Sequence, residues 1–219
     1  MRHLMLLTAA LTLLAAGSTR AESPKTSEPS IYPLETCLVS GERLGSHGEP
    51  VAKTIDGREM RVCCAPCFEP LEADSEQFLS ELDEQIRKTQ SALYPTQICV
   101  VSGNKLPDEP QEHILGHRLF WLCSPECVES LTSSPDRYVR SLDAAVAAVQ
   151  QADYPADTCP VSGMALDSMG GPYDYTYAGR LIRFCCAGCI PSFEKNPAEG
   201  VAAIYGDAAE PAAESAAGK

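Results

Sequence analysis

Cys159-Pro160-Val161-Ser162-Gly163, followed by Phe184-Cys185-Cys186-Ala187-Gly188-Cys189, is the stretch on which the reading of this chain turns, because both halves recur. The first phrase returns as Cys37-Leu38-Val39-Ser40-Gly41 and as Cys99-Val100-Val101-Ser102-Gly103. The second returns as Cys63-Cys64-Ala65-Pro66-Cys67 and Cys123-Ser124-Pro125-Glu126-Cys127. Successive opening cysteines are 62 and 60 residues apart, and each stands five residues after the tyrosine of a Tyr-Pro (Tyr32, Tyr94, Tyr154). Between the phrases comes a Gly-Arg turn: Gly57-Arg58, Gly116-His117-Arg118 with one insertion, and Gly179-Arg180. So many features recurring in one order mark a triplicated unit.

Within a unit the periodicity changes once. Tyr173, Tyr175 and Tyr177 alternate with Asp174 and Thr176, a strand signal, and Leu181 to Phe184 return after Ala178-Gly179 as the second arm of a hairpin. Beyond the cysteine pair the pattern turns helical. Phe78, Leu79, Leu82 and Ile86 share one face in the first unit; Tyr138, Val139, Leu142, Val146 and Val149 do so in the second. Pro135 and Pro197 sit near the starts of such helices, where proline is tolerated. The expected architecture is small α+β: three tandem units at residues 32–93, 94–153 and 154–205, each a knuckle, a β-hairpin and a helix. A unit of about 60 residues buries little core and commonly needs a metal or a disulfide to hold it.

Residues 1–21 read as a secretory signal, with Arg2 and His3, an apolar run from Leu4 to Ala16, and small residues around Thr19-Arg20-Ala21. That run of thirteen is short of the roughly 20 residues of a spanning helix. No cysteine follows it to carry a lipid. The expectation is an exported chain, secreted or periplasmic, with no membrane span after signal cleavage. Residues 22–31 form a polar leader, and residues 206–219 an Ala/Glu/Pro-rich tail with too little apolar surface to fold. The 219 residues carry 17 Lys+Arg against 30 Asp+Glu, a net charge of −13 that becomes −15 when the signal leaves with Arg2 and Arg20 and no acid. That balance argues against nucleic acid, which needs a basic face to displace counterions. The acidic run Glu72–Glu76, with Glu81 to Glu84, reads as a solvated helix face that weakly attracts cations or a basic partner. No nucleophile–base pair, phosphate loop or catalytic carboxylate pair has supporting context, so the chain is not read as an enzyme.

Eleven cysteines are too many to be core filler. In an exported protein disulfides are the plain alternative. Against them as the whole answer, the shared cysteines number three per unit, and three thiols cannot all pair. Cys-x3-Cys at a helix start is also expected to put two sulfurs on one face, within reach of one ion at about 2.3 Å. A helix N-terminus favours the thiolate, and Ser-Gly after the first cysteine fits the tight turn of a metal knuckle. The candidate ligands are Cys37, Cys63 and Cys67; Cys99, Cys123 and Cys127; and Cys159, Cys185 and Cys189. Cys64 and Cys186, about 100° further round a helix, stand as fourth ligands, packing residues or redox partners. Ser124 takes that place in the second unit, and Cys64 with Cys67 is an alternative pair. His113 and His117 lack the glutamate of a zinc-protease helix and read as surface histidines around a hairpin turn, or as a fourth ligand to the second unit. His47, alone in a Gly-rich loop, carries no specific signal. Met164 is a packing residue or a soft thioether ligand. Tyr32, Tyr94 and Tyr154 are expected to pack at unit junctions.

The third unit, Cys159-Pro-Val-Ser-Gly-Met164 … Tyr177-Ala-Gly-Arg180 … Phe184-Cys-Cys-Ala-Gly-Cys189 … Phe193-Glu-Lys-Asn-Pro197, resembles a YHS domain and the related TRASH-type modules. Their pattern is one cysteine, a gap of about twenty residues, then Cys-x3-Cys. Here the gaps are 25, 23 and 25, and the resemblance spans residues 32–205. It implies a treble-clef-like, zinc-ribbon-related fold and a part in heavy-metal trafficking, sensing or resistance, with zinc or copper(I) bound and a metal-donor or acceptor protein as partner. Related four-cysteine knuckles read Cys-x2-Cys, whereas Ser40, Ser102 and Ser162 hold the second place here. Three thiolates with an open fourth position suit trigonal copper(I), or zinc with water or a borrowed ligand. Two rivals remain: a protein-interaction module stapled by metal or disulfides, and a thiol–disulfide redox protein cycling through Cys64/Cys67 and Cys186/Cys189.

Overall fold

Three short hairpins, each followed by two helices, make up the structure, a computed structural model describing residues 32–206. The expected signal (1–21), the leader (22–31) and the tail beyond Gly206 lie outside the described residues. In chain order the elements are β1 (Val51–Ile55), β2 (Arg58–Val62), α1 (Phe68–Ala73), α2 (Ser75–Ser91), β3 (Gln111–Leu115), β4 (Arg118–Leu122), α3 (Pro125–Ser133), α4 (Pro135–Gln150), β5 (Tyr173–Tyr177), β6 (Arg180–Phe184), α5 (Ile190–Lys195) and α6 (Pro197–Tyr205). Single 3₁₀ turns, Ala65–Cys67 and Ala187–Cys189, lead into α1 and α5. The architecture is a small mixed α+β one, with three separate two-stranded antiparallel sheets. No helix of the described residues is long and apolar enough to cross a membrane.

The hairpins close in the expected places. Ile55 pairs with Arg58, and the two residues between, Asp56 and Gly57, have φ of 49° and 81°. Ala178 and Gly179 repeat this with 48° and 80°. Positive φ at both central positions gives the turn whose twist matches that of the strands. Two strands alone are marginal in water, so each hairpin lays one face on an apolar cluster. Met60 and Val62, Phe120 and Leu122, and Ile182 and Phe184 are all fully buried.

Where one helix per unit was expected, there are two. Asp74, Ser134 and Asn196 break them apart, with φ near −140° (−140°, −143°, −142°) and ψ of 59°, 58° and 74°. Each stands at the N-cap of the second helix, which Pro135 and Pro197 begin in two of the three cases; only the Asp74 side chain accepts a capping bond, from the Gln77 N–H. Leu82 and Ile86 are buried as expected, as are Tyr138, Leu142 and Val146. Val149 is not: it is 56% exposed, and the neighbouring Gln150 turns inward instead.

That glutamine shows how one unit meets the next. Gln150 at the end of α4 donates to the Gly179 carbonyl (2.9 Å) and accepts from the Leu181 N–H (2.8 Å), pairing with the outer edge of the following hairpin. Gln90 at the end of α2 does the same, donating to the His117 carbonyl (2.8 Å) and accepting from Leu119 N–H (2.9 Å). One step along the same edges, the Tyr94 and Tyr154 hydroxyls accept from the N–H groups of Trp121 (2.9 Å) and Arg183 (3.0 Å). The polar side chains thus finish edge strands that would otherwise be open. The first and third units also touch: the Tyr177 hydroxyl donates to the Tyr32 carbonyl (3.2 Å), and Arg61 to the Glu194 carbonyl (3.0 Å). His117 is a correction to the expected surface histidine. It is 3% exposed, its Nε2 lies 2.8 Å from the Glu59 carbonyl, and its ring meets Tyr32 edge-on at 5.6 Å.

Replacing a buried two-bond linker by an apolar residue strands a backbone donor and acceptor. Gln90→Leu is therefore expected to lower unfolding free energy by about 2–4 kcal/mol, and Gln150→Leu, whose side chain is only half-buried, by less. Urea denaturation of the two variants checks the order.

Candidate metal centres

Each knuckle is a tight loop closed from both sides. The Gly41 N–H donates to the Cys37 carbonyl (2.8 Å) and the Cys37 N–H to the Glu42 carbonyl (2.8 Å); Cys99 with Gly103 and Asn104, and Cys159 with Gly163 and Met164, repeat the pattern at 2.8–2.9 Å. The glycines stand at φ of 73°, 76° and 68°, a left-handed conformation that costs other residues about 1–2 kcal/mol. The loop turns the Cys37 sulfur toward the end of β2, where Cys63 follows Val62.

Cys-x3-Cys does not lie along one helix face as expected. Cys64, Ser124 and Cys186 are extended, with φ of −157°, −161° and −162°, so the first cysteine of each pair lies just past its strand and only the last enters the helical turn. The turn is closed by backbone bonds, Cys67 N–H to the Cys64 carbonyl (3.2 Å) and its two counterparts. It nonetheless brings the sulfurs together: Cys63–Cys67 3.8 Å, Cys123–Cys127 3.6 Å and Cys185–Cys189 3.9 Å. With the knuckle cysteine added, each of the three sulfur groups lies within 4.8 Å throughout: Cys37/Cys63/Cys67, Cys99/Cys123/Cys127 and Cys159/Cys185/Cys189. Sulfurs arranged tetrahedrally about an ion at about 2.3 Å stand roughly 3.8 Å apart. The donor set fits a thiophilic ion. All eleven cysteines are free thiols among the described residues.

The extended residue also changes the reading of Cys64. Instead of pointing away round a helix, its sulfur lies 3.8 Å from Cys63 and 3.6 Å from Cys67. In the second unit the Ser124 hydroxyl donates toward Cys127 from the same place, at 3.7 Å. Cys186 is half-buried.

The serine in the second knuckle place is aimed at sulfur. The Ser40, Ser102 and Ser162 hydroxyls lie 3.2, 3.1 and 3.4 Å from Cys63, Cys123 and Cys185. Each also accepts the N–H two residues on, at 3.2–3.3 Å. The knuckle thiols respond. Burial opposes ionisation of Cys37, but the Ser40 hydroxyl and the amides of Cys63, Ser40 and Val39 outweigh it and bring the thiol to about 7. Cys99 is likewise brought to about 7 and Cys159 to about 6, against burial, by the corresponding serine and amides. Burial and neighbouring sulfurs push Cys67 and Cys189 up to about 12. Cys127 moves the same way; Cys63 is raised too, although the Ser40 hydroxyl pulls it down. In each group the knuckle cysteine is thus the one that ionises most readily, while Cys63, Cys67, Cys127 and Cys189 are held toward the protonated form.

One sulfur of each group is half-buried (Cys67, Cys123, Cys189), while the other two are 7% exposed or less. The groups belong to the three apolar clusters. His47, for which the sequence offered no signal, lies beside the first group. An imidazole nitrogen of His47, a carboxylate oxygen of Glu42 and the Cys63 sulfur are within 4.8 Å of one another, and His47 Nε2 is 2.5 Å from Glu42 Oε2. His113 is half-buried on β3, and His117 is engaged between units.

No protein-family model, curated protein or solved structure matches the chain. Its chemistry is read from its own side chains.

Because ions bind thiolates, affinity follows proton loss. In the first group Cys63 and Cys67 both hold protons above pH 7, so affinity there is expected to rise about 100-fold from pH 7.5 to 8.5, tenfold per proton released. The second and third groups, each with at least one raised thiol, should gain tenfold or more. Chelator competition at the two pH values, with calorimetry in buffers of different ionisation enthalpy, measures it.

Proposed function

We propose that the protein is an exported heavy-metal-binding protein, secreted or periplasmic, made of three tandem YHS/TRASH-type modules with treble-clef-like folds. It acts without catalysis, holding zinc or copper(I) on cysteine thiolates for trafficking, sensing or resistance, and exchanging ions with a donor or acceptor protein. The observation that carries this reading is the thrice-repeated group of three sulfurs at the spacing of one ion's ligands, with a thiolate favoured in each. Capture begins at the knuckle cysteine, the thiol that ionises most readily, and the paired cysteines complete the site. Release runs through the half-buried thiol, which an incoming sulfur reaches first, so that one ligand is exchanged at a time.

A second reading has its own support. Cys37 and Cys63, Cys99 and Cys127, and Cys159 and Cys185 belong to the apolar clusters, as expected of ions that serve only to hold small modules together around a protein-binding surface. Elemental analysis with thiol counting, on protein purified without oxygen, tests both. Metal handling predicts about three soft-metal equivalents per chain, all drawn off by a chelator while the far-UV circular dichroism of the fold persists. Loss of the fold on chelation favours the staple. Absence of metal with oxidised thiols overturns both metal readings, leaving a disulfide-stapled interaction module or the redox rival.

A further inference from the structure

The loop between knuckle and hairpin has the same length and backbone bonding in the first and third units, but opposite donor chemistry. Glu42-Arg43-Leu44-Gly45-Ser46-His47-Gly48-Glu49-Pro50 aligns without a gap on Met164-Ala165-Leu166-Asp167-Ser168-Met169-Gly170-Gly171-Pro172. The N–H groups of Glu42 and Met164 donate to the knuckle serine hydroxyls, each at 3.3 Å. Ser46 N–H to the Arg43 carbonyl (3.2 Å) matches Ser168 to Ala165 (3.1 Å), and Gly48 to Gly45 (3.3 Å) matches Gly170 to Asp167 (3.4 Å). Gly48 and Gly170 also share a left-handed φ, 109° and 103°. Position 42 therefore corresponds to 164, and 47 to 169. In the first unit these positions bring a carboxylate and an imidazole to the Cys63 sulfur. In the third they carry two methionines, 45% and 60% exposed, which do no work in the core. The second unit has Asn104 at the first position and a loop two residues shorter, with no His or Met in it.

We propose that this loop selects the ion: Glu42 and His47 give the first unit a mixed sulfur–nitrogen–oxygen rim for a borderline divalent ion such as zinc, and Met164 and Met169 give the third a thioether rim for copper(I). The inference rests on the metal-binding reading and adds to it a division of labour among the units. Thiolate and thioether donors favour copper(I), whereas imidazole and carboxylate suit zinc. An exposed His–Glu ion pair contributes little by itself, and two exposed thioethers at the matching places have no packing role. A carboxylate bonded to an imidazole is also the usual support of a histidine ligand, worth about 10–100-fold in affinity.

The test uses the full chain, reduced and oxygen-free, titrated with zinc(II) and separately with copper(I) against chromophoric chelators. His47→Ala is expected to weaken the tightest zinc site about 10–100-fold or more and Glu42→Gln about 10–100-fold, with copper(I) binding within twofold of wild type. Met164→Ala combined with Met169→Ala should weaken one copper(I) site by a comparable factor and leave zinc unchanged. X-ray absorption of the chain with one zinc equivalent should show a nitrogen scatterer that His47→Ala removes. All four side chains are exposed, and circular dichroism confirms that the variants fold. If wild type and variants bind both ions equally at three groups, the loop does not select and the inference falls while metal binding stands. If wild type binds neither ion, the metal-binding reading itself falls.

Discussion

Everything in each unit is arranged around one meeting point: the knuckle sulfur, the sulfur just past the second strand and the sulfur opening the helical turn come within 4.8 Å. Three such atoms repel one another when ionised and gain little when they are not, so the meeting has to be imposed. The left-handed knuckle glycine, the extended residue after the strand and the short helical turn impose it. The raised thiols at Cys67 and Cys189 record the cost of burying sulfurs beside one another, and the lowered ones at Cys37, Cys99 and Cys159 show where amides and a serine hydroxyl offset it. An ion placed there removes the conflict by taking the protons' place.

The same economy governs how the units join. A hairpin of two five-residue strands has both strands at an edge, so three such sheets carry six edges open to misplaced pairing. Gln90 and Gln150 finish two of these edges with two hydrogen bonds each, from helices belonging to the preceding unit. Helix length is thereby coupled to hairpin position: one residue inserted into α4 ahead of Gln150 would present Val149 to the strand in its place. Joints of this polar kind hold direction better than apolar ones, because their bonds are geometrically specific.

Alternation made the hairpins legible, since Tyr173, Tyr175 and Tyr177 can share a face only in a strand. What the spacing did not show was the first, short helix of each pair, Phe68–Ala73, Pro125–Ser133 and Ile190–Lys195, which lies ahead of the apolar stripes that begin at Phe78 and Tyr138; two of the three are six residues long, too short to display an apolar period. Val149 was misplaced for a different reason: hydrophobic patterning assigns the buried stripe to apolar residues, while a buried strand edge calls for an amide. His117 was hidden in the same way, its partner Glu59 lying 58 positions away. Placing Cys-x3-Cys on a helix gave the right proximity by the wrong geometry; the contact Cys64 makes with both Cys63 and Cys67 comes from its extended backbone.

By itself the sequence determined the triplication, the hairpin turns and the nine recurring cysteines, because each of these is written in spacing, and spacing controls local turns. Only the tertiary structure decided which way the knuckle serines point, that Gln90 and Gln150 stitch the units, and that His47 and Glu42 stand beside Cys63. Those relations depend on where elements well apart in the chain come to rest, and that is set by packing and hydrogen-bond satisfaction across the whole fold rather than by any pattern along the chain.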